Sequence, residues 1–197
     1  MQQTHLSRIW FLSQECKQVP LEHAKNYVRW GHPDGYFLKP NGQKAKDNLS
    51  PSQQKPHNHS HATPILRECA KTCHVLMALA FYGERKIFKD KNGKPYVGIC
   101  HHLIPDLLDY KPANLLCWLT REEHSEADRR QRLIKKAVGI EGMREIGYTQ
   151  LRFYQDPRQT TDEEFQTALD KIKSDLWNKR QFMSSLMNST QNKKHRS

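Results

Sequence analysis

Apolar residues recur at three- and four-residue intervals between Pro64 and Gly83. The recurring positions are Ile65, Leu66, Cys69, Cys73, Leu76, Met77, Ala80 and Phe81. This spacing predicts an amphipathic helix, and glycine is a common residue at a helix end. We therefore expect a helix that ends at Gly83. His74 lies on or beside its apolar face, and we interpret it as a packed residue.

Two later segments are rich in residues that favour strands. Residues 96–103 follow a charged turn over residues 89–94, and residues 115–119 follow a loop that contains Pro105 and Pro112. We predict an antiparallel hairpin with a long connection.

A capping box follows the second predicted strand. Thr120 is a favourable N-cap, and Glu123 stands three residues later, where its carboxylate can accept the N-cap amide. Gly139 is a plausible residue just past the helix end. These positions predict a helix over residues 121–138.

A second capping box begins at Thr161 and includes Glu164. The apolar residues that follow it at helix spacing are Phe165, Ala168, Leu169, Ile172 and Leu176. We expect this helix to pack on the core or on a second copy of the chain, which would make a homodimer. The basic run at residues 192–197 is expected to be an irregular tail.

The N-terminal third has weak patterning. Residues 1–62 alternate short apolar and polar pieces, and residues 39–64 are mostly polar, as in a linker. We predict an α+β fold with an irregular segment over residues 1–62, a core domain over residues 63–140 and a helical region over residues 141–197.

The composition favours a polyanionic partner. The 197 residues include 32 Lys and Arg against 21 Asp and Glu, which gives a formal net charge of +11. The hydrophobic fraction of 36% and the mean hydropathy of -0.89 are low for a compact globule of this length. Nucleic acid is the expected partner.

The lengths of the apolar runs and the number of cysteines indicate where the protein is located and whether its thiols are reduced. No apolar run approaches the ~20 residues that cross a bilayer, so we expect no membrane association and a cytoplasmic location. Five cysteines, an odd number, favour reduced thiols over a disulfide framework. Small buried thiols are expected, because the Cys-x-x-Cys spacing is absent. A four-thiolate zinc site stays an alternative, with ligands Cys69, Cys73, Cys100 and Cys117.

Four residues have the chemistry of a metal site. His101 and His102 lie on the first predicted strand, His124 lies in the first turn of the predicted helix, and Asp128 follows one turn later on the same face. Neighbouring strand residues point to opposite faces, so His101 and His102 cannot both bind one ion. One is expected to be a ligand and the other a general base. Geometry does not decide which is which.

The chain resembles the HNH nuclease family. That family has a ββα-metal motif that runs Asp or His, His, x, x, Pro, then Asn, then His. The matching stretches here are His101-His102-Leu103-Ile104-Pro105, Asn114-Leu115-Leu116 and His124. The resemblance implies that His101 and His124 bind metal, that His102 is the general base, and that Asn114 orients the loop of the base. Colicin-type members have another ligand four residues after the last histidine, which implies the same role for Asp128.

A second likeness covers more of the chain. Residues 73–81 resemble the His-Arg-Leu-Val-Ala-x-Ala-Phe helix of phage and homing-endonuclease members, and residues 114–120 resemble their Asn-Leu-Glu-Trp-Val-Thr. Together the matches span about residues 73–131. The chain departs from the pattern at Val75, where those helices carry arginine, and it lacks the Cys-x-x-Cys pairs of some branches.

The resemblance implies an endonuclease of phage or mobile-element type that hydrolyses DNA phosphodiester bonds and leaves 5′-phosphate ends. His102 would deprotonate the attacking water, and one divalent ion would stabilise the leaving oxygen. Mg²⁺ is expected on abundance, although Mn²⁺, Ni²⁺ and Zn²⁺ suit the same ligands. The residues expected to contact DNA phosphates are Arg129, Arg130, Arg132, Lys135 and Lys136.

Two other classes stay open. One is a catalytically inactive DNA-binding module with an HNH-like fold, and the other is a zinc-stabilised interaction module. The presence of His102 favours the enzyme, because a purely structural ion needs no base on the opposite face of the strand.

Overall fold

A computed structural model describes residues 15–24, 28–45, 65–66, 71–106 and 109–194 of the chain. The fold is α+β, with small antiparallel sheets and several helices. The chain forms two compact units, Met1–His124 and Ser125–Ser197. The predicted domain boundaries fall at other places and stay predictions.

Three short strands form the N-terminal sheet. They are β1 (Lys17–Gln18), β2 (Trp30–His32) and β3 (Tyr36–Leu38), in the antiparallel order β1-β2-β3, and helix α1 (Leu21–Ala24) connects the first two. The prediction of an irregular N-terminal segment is therefore wrong for these residues. The strands are too short for alternation of apolar and polar residues to be visible in the sequence.

The predicted linker also begins too early. Leu38 forms a bridge with Lys44, and the amide of Ala45 donates to the carbonyl of Phe37 at 2.8 Å. Ala45 is buried. These contacts join residues 39–45 to the sheet, while residues 46–64 lie outside the described part of the chain.

The first long helix begins later than the sequence predicts. Strand β4 (Ile65–Leu66) pairs with β5 (Lys71–Thr72), and helix α2 (Cys73–Tyr82) follows directly. The predicted helical start is therefore wrong, because Ile65 and Leu66 pair with another strand. The predicted end is confirmed, since Gly83 has φ +76°.

The first predicted strand is divided in two. Strand β6 (Ile87–Lys89) pairs with β7 (Pro95–Val97), and β8 (Ile99–His102) begins after Gly98. A Cβ at Gly98 would lie 2.9 Å from the Cα of Trp118, which is closer than real Cβ atoms come to backbone. The lack of a side chain at Gly98 therefore allows its backbone to lie close to Trp118. This close approach occurs where the pairing of β6 with β7 ends and the pairing of β8 with β9 begins.

Strand β9 (Leu115–Leu119) has the predicted bounds and pairs with β8 in antiparallel fashion. A 3₁₀ turn, Pro112–Asn114, precedes it. The register shifts between Ile99 and His101, so that two residues of β9 face one residue of β8, as in a β-bulge.

The long helix that follows β9 begins as predicted. In α3 (Arg121–Ile146), the Thr120 hydroxyl accepts from the Glu123 amide at 3.1 Å, and the Glu123 carboxylate accepts from the Thr120 amide at 2.7 Å. Gly139, at φ +72°, interrupts α3 at the predicted end of the helix. Helix α4 (Tyr148–Gln155) follows.

Helix α5 (Asp162–Lys194) also begins at its predicted capping box. The Thr161 amide donates to the Glu164 carboxylate at 2.8 Å, and the Glu164 amide donates to the Thr161 hydroxyl at 3.2 Å. The proposed role of this helix in a homodimer stays a prediction. Among the described residues, no helix has the length and hydropathy needed to cross a bilayer.

One apolar core joins the elements of the first unit. Residues of the N-terminal sheet, of α2 and of β9 share it, including Val19, Phe37, Leu76, Met77, Leu115 and Trp118. The N-terminal sheet therefore packs against the same helix that supports the hairpin of β8 and β9.

Candidate metal centre

Three of the predicted ligands lie together. His101 on β8, His124 in the first turn of α3 and Asp128 one turn later each offer one ligand atom, and these atoms lie within 4.8 Å of one another. The rings of His101 and His124 meet edge to face with centroids 5.4 Å apart. Among the described residues, this is the one group of three or more potential ligands with such proximity.

The donor set fits a divalent cation. Two imidazoles and one carboxylate are ligands that Zn²⁺, Mn²⁺ and similar ions accept. Ligands bound to one Zn²⁺ at 2.0–2.1 Å stand at most about 4.2 Å apart. The ligand atoms of His101, His124 and Asp128, within 4.8 Å of one another, therefore lie close to the separation that one bound ion requires. Their role as ligands stays a prediction.

His102 lies on the other face of β8. Its ring meets the ring of His74, on α2, edge to face with centroids 5.1 Å apart. The two adjacent histidines thus contact different helices, as the alternation of strand side chains requires. The side chains of His101 and His102 therefore lie on opposite faces of β8, as expected for one ligand and one separate imidazole. Their roles stay predictions.

Burial governs the protonation of His102 and His74. Burial, followed by the charges of His74 and His101, lowers the pKa of His102 to about 3. Burial, followed by the charge of Arg85, lowers the pKa of His74 to about 4. Both imidazoles are therefore neutral near pH 7.

Asn114 holds the loop that follows His102. Its side chain is fully buried, its Oδ1 accepts from the Ile104 amide at 2.8 Å, and its Nδ2 donates to the carbonyl of Asp109 at 2.7 Å. The Leu103 amide donates to the Asn114 carbonyl at 2.8 Å. These bonds connect both ends of the loop to the start of β9, which is the arrangement that the resemblance implies for this residue.

Sequence reasoning missed the surroundings of the second histidine. The sequence predicts a packed His74, and this residue does pack, but against His102. The guanidinium of Arg85 lies over the Trp118 ring, 5.8 Å from the centroid, and lowers the pKa of His74. Arg85 lies in the turn after α2, outside the periodic part of the helix, so no sequence pattern would have revealed this cluster.

The predicted phosphate-binding residues divide into two groups. Arg130 is 2% exposed, and its guanidinium donates to the Glu126 carboxylate, to the Tyr154 carbonyl and to the carbonyl and hydroxyl of Thr160. Its predicted contact with DNA is therefore wrong, because its donors are committed inside the second unit. Arg129 is half-exposed and pairs with Glu126 and Asp162.

The remaining three form an exposed basic face on α3. Arg132, Lys135 and Lys136 are spaced by three and four residues, so they lie on one side of the helix, and all three are exposed. Phosphate contact by these residues stays a prediction.

The described cysteines do not gather as the zinc alternative requires. Cys69 lies outside the described residues. Cys73 is fully buried, and the Sγ atoms of Cys100 and Cys117 lie 3.2 Å apart. No group of three thiols comes together in the described part of the chain.

Comparisons with protein-family models, with curated proteins and with solved structures give no match to this chain.

Proposed function

We propose that the protein is a metal-dependent endonuclease of the HNH type that hydrolyses phosphodiester bonds in DNA. The observation that carries this proposal is the convergence of His101, His124 and Asp128 beside a strand whose other face presents His102. The order of β8, β9 and α3 is that of a ββα-metal motif. The fully buried Asn114, bonded to the loop after His102, adds a fourth matching part.

His101, His124 and Asp128 would hold the cation, with Mg²⁺ expected on abundance. A bound divalent cation would supply positive charge for the leaving oxygen of the phosphodiester. These residues come from a strand and from the capped first turns of one helix, both of which are rigid elements. Rigid elements hold the ligand side chains near the binding geometry, so that little conformational entropy is lost when a cation binds.

His102 would act as the general base. A base must be unprotonated before it accepts a proton, and the lowered pKa keeps its imidazole neutral at ordinary pH. His102 is therefore unprotonated before each turnover. The bonds of Asn114 to Ile104 and Asp109 would hold the chain just after His102 at the end of β8.

The charge of the chain supports a polyanionic substrate. The formal net charge is +11, and Arg132, Lys135 and Lys136 form an exposed face on α3. Such residues neutralise phosphates without recognising bases. We expect affinity that falls with salt and shows weak sequence preference.

One observation favours the alternative of an inactive metal-binding module. His102 is 8% exposed and rests against His74, so an attacking water has limited access to it. Activity would require substrate binding to open this contact. An inactive module would retain the cation site and lose turnover.

Nicking of supercoiled plasmid tests the proposal. The full chain is assayed with Mg²⁺, with Mn²⁺ and with EDTA, beside His102→Ala and a matched control, His23→Ala. His23 lies on α1 and is bonded to none of the candidate site residues in the described structure. We expect metal-dependent nicking by the wild type and by the control, and a loss of at least about 100-fold in His102→Ala.

Two results would contradict the proposal. Equal nicking by the wild type and His102→Ala would exclude the base role. Absence of nicking in the wild type, with cation binding intact, would favour the inactive module.

A further inference from the structure

Two thiols meet across the hairpin of β8 and β9. The Sγ atoms of Cys100 and Cys117 lie 3.2 Å apart. Cys100 is partly exposed, whereas Cys117 is 8% exposed. The proposed nuclease chemistry uses neither sulfur, so the proposed function does not account for their proximity.

The β-bulge explains why these residues meet. Ile99 pairs with Leu119 and His101 pairs with Leu116, which leaves Cys100 opposite Cys117 and Trp118. Trp118 has φ +57°, a left-handed conformation that takes up the additional residue. Cys117 is thereby placed as a cross-strand neighbour of Cys100.

The backbone of such neighbours suits a disulfide. Facing residues on antiparallel strands have Cα atoms about 4.5–5.5 Å apart. Disulfides span Cα separations of about 4.4–6.8 Å. The sulfurs of Cys100 and Cys117, which lie 3.2 Å apart, need to approach by about 1 Å to reach the ~2.05 Å of a disulfide bond.

We propose that Cys100 and Cys117 form a redox-active dithiol, a modification site at which peroxides close an intrachain disulfide. Cys100 is the more exposed thiol and reacts first: its sulfur attacks one oxygen of hydrogen peroxide, which gives a sulfenic acid and releases water. The sulfur of Cys117 then attacks the sulfenic sulfur and releases a second water. The two thiols lose two electrons and two protons in total, and the peroxide is reduced to two waters.

The disulfide would restrain the hairpin of β8 and β9, which carries His101 and His102. Cys100 directly precedes His101, and Cys117 directly follows Leu116, the partner of His101 in the strand register. A covalent bond at this point closes the loop between β8 and β9 and limits relative movement of the two strands. Oxidation should therefore raise the Tm by several degrees.

The other described cysteines are less accessible to peroxide. Cys16 and Cys73 are both buried. Cys73 belongs to the apolar core, where its thiol is fully covered. The reaction is therefore expected to begin at Cys100 and to end at the sulfur of Cys117.

Peptide mapping of the full chain tests the proposal. The zinc content of the purified protein is measured first. The reduced protein, in EDTA, then receives stoichiometric hydrogen peroxide, followed by N-ethylmaleimide and trypsin. Trypsin spares the Lys94–Pro95 and Lys111–Pro112 bonds, so Cys100 and Cys117 share the peptide of residues 92–121. Every other cysteine falls in a separate peptide.

The expected product is the peptide of residues 92–121 without either maleimide adduct and lighter by two hydrogens than the reduced, unlabelled peptide. Dithiothreitol should restore both adducts. Cys117→Ser should instead accumulate a sulfenic acid at Cys100, which dimedone traps, and Cys16→Ser should behave as the wild type. Thermal melts of the reduced variants check that each one is folded.

Three outcomes would overturn the proposal. The first is full labelling of Cys100 and Cys117 after peroxide treatment. The second is a disulfide from either residue to Cys69 or Cys73. The third is zinc in the purified protein that blocks labelling of Cys100 and Cys117 until it is removed, which would make the pair part of a metal site.

Discussion

The imidazole rings of His74 and His102 meet edge to face with their centroids 5.1 Å apart, and burial lowers the pKa of both. His74 belongs to α2 and His102 to β8. The contact therefore joins the helix at the centre of the first unit to the strand that carries the proposed base.

The partial burial of His74 predicts a pH-dependent stability. Its pKa is about 4 in the folded chain, against 6.5 for an unperturbed histidine side chain. Between these values the unfolded chain binds a proton and the folded chain does not, so stability falls as pH falls from 6.5 to 4. The loss from this residue is up to about 3 kcal/mol.

His74→Gln tests this origin of acid sensitivity. Urea unfolding of the wild type and the variant is compared at steps between about pH 4 and pH 7. The variant should show the weaker dependence on pH, because it lacks the titrating group. Parallel curves for the two proteins would assign the acid sensitivity to other groups.

Replacement of Asn114 should loosen the loop after His102. Asn114→Ala removes the acceptor of the Ile104 amide and the donor to the Asp109 carbonyl, both inside the protein. We expect a loss of about 3 kcal/mol in the free energy of unfolding. Hydrogen exchange should show faster exchange of the Ile104 amide. Asn92→Ala, in an exposed turn, is the matched control, and equal destabilisation by both changes would count against the role of the buried amide.

The two capping boxes provide a paired test of how α3 supports His124. Thr120→Ala and Thr161→Ala each remove one hydroxyl that accepts an N3 amide, and each should cost about 1 kcal/mol of stability. Only Thr120→Ala disturbs the turn that contains His124, whose amide donates to the Thr120 carbonyl at 2.9 Å. Titration with Mn²⁺ should therefore show weaker binding for Thr120→Ala alone. The same loss of Mn²⁺ affinity in both variants would exclude a specific effect of the Thr120 cap on His124.

The basic residues of α3 should separate into stabilising and binding roles. Arg130→Ala leaves the buried acceptors of Thr160 without this donor, removes one partner of the partly exposed Glu126 carboxylate, and should destabilise the protein by about 3 kcal/mol. Arg132→Ala should leave stability unchanged and reduce by about 1 the slope of log affinity for duplex DNA against log salt. Anisotropy of a labelled duplex measures that slope. An unchanged slope in Arg132→Ala would exclude the exposed face from phosphate contact.

The elements nearest the candidate site were the most predictable from the sequence. β9, the capping boxes of α3 and α5, and the interruption at Gly139 follow from local patterns, because caps and glycines act within a few residues. The convergence of His101, His124 and Asp128 follows from the order strand, strand, helix together with the helical spacing of the last two.

Other features depend on contacts between distant residues. The strands β1, β2 and β3 have only two or three residues each, so no periodicity marks them. Arg130 has the same sequence character as Arg132, and only the fold places the first inside and the second outside. The bulge at Cys117 and Trp118 likewise arises from strand register, which side-chain pattern alone does not specify.

Titration of the metal-free protein with Mn²⁺ by calorimetry tests the central claim most directly. We predict one strong site in the wild type, an affinity loss of at least about 10-fold in His124→Ala, and retained binding in His102→Ala. Equal Mn²⁺ affinity in the wild type and His124→Ala, or loss of binding in His102→Ala with its fold intact, would contradict the assignment of ligand and base.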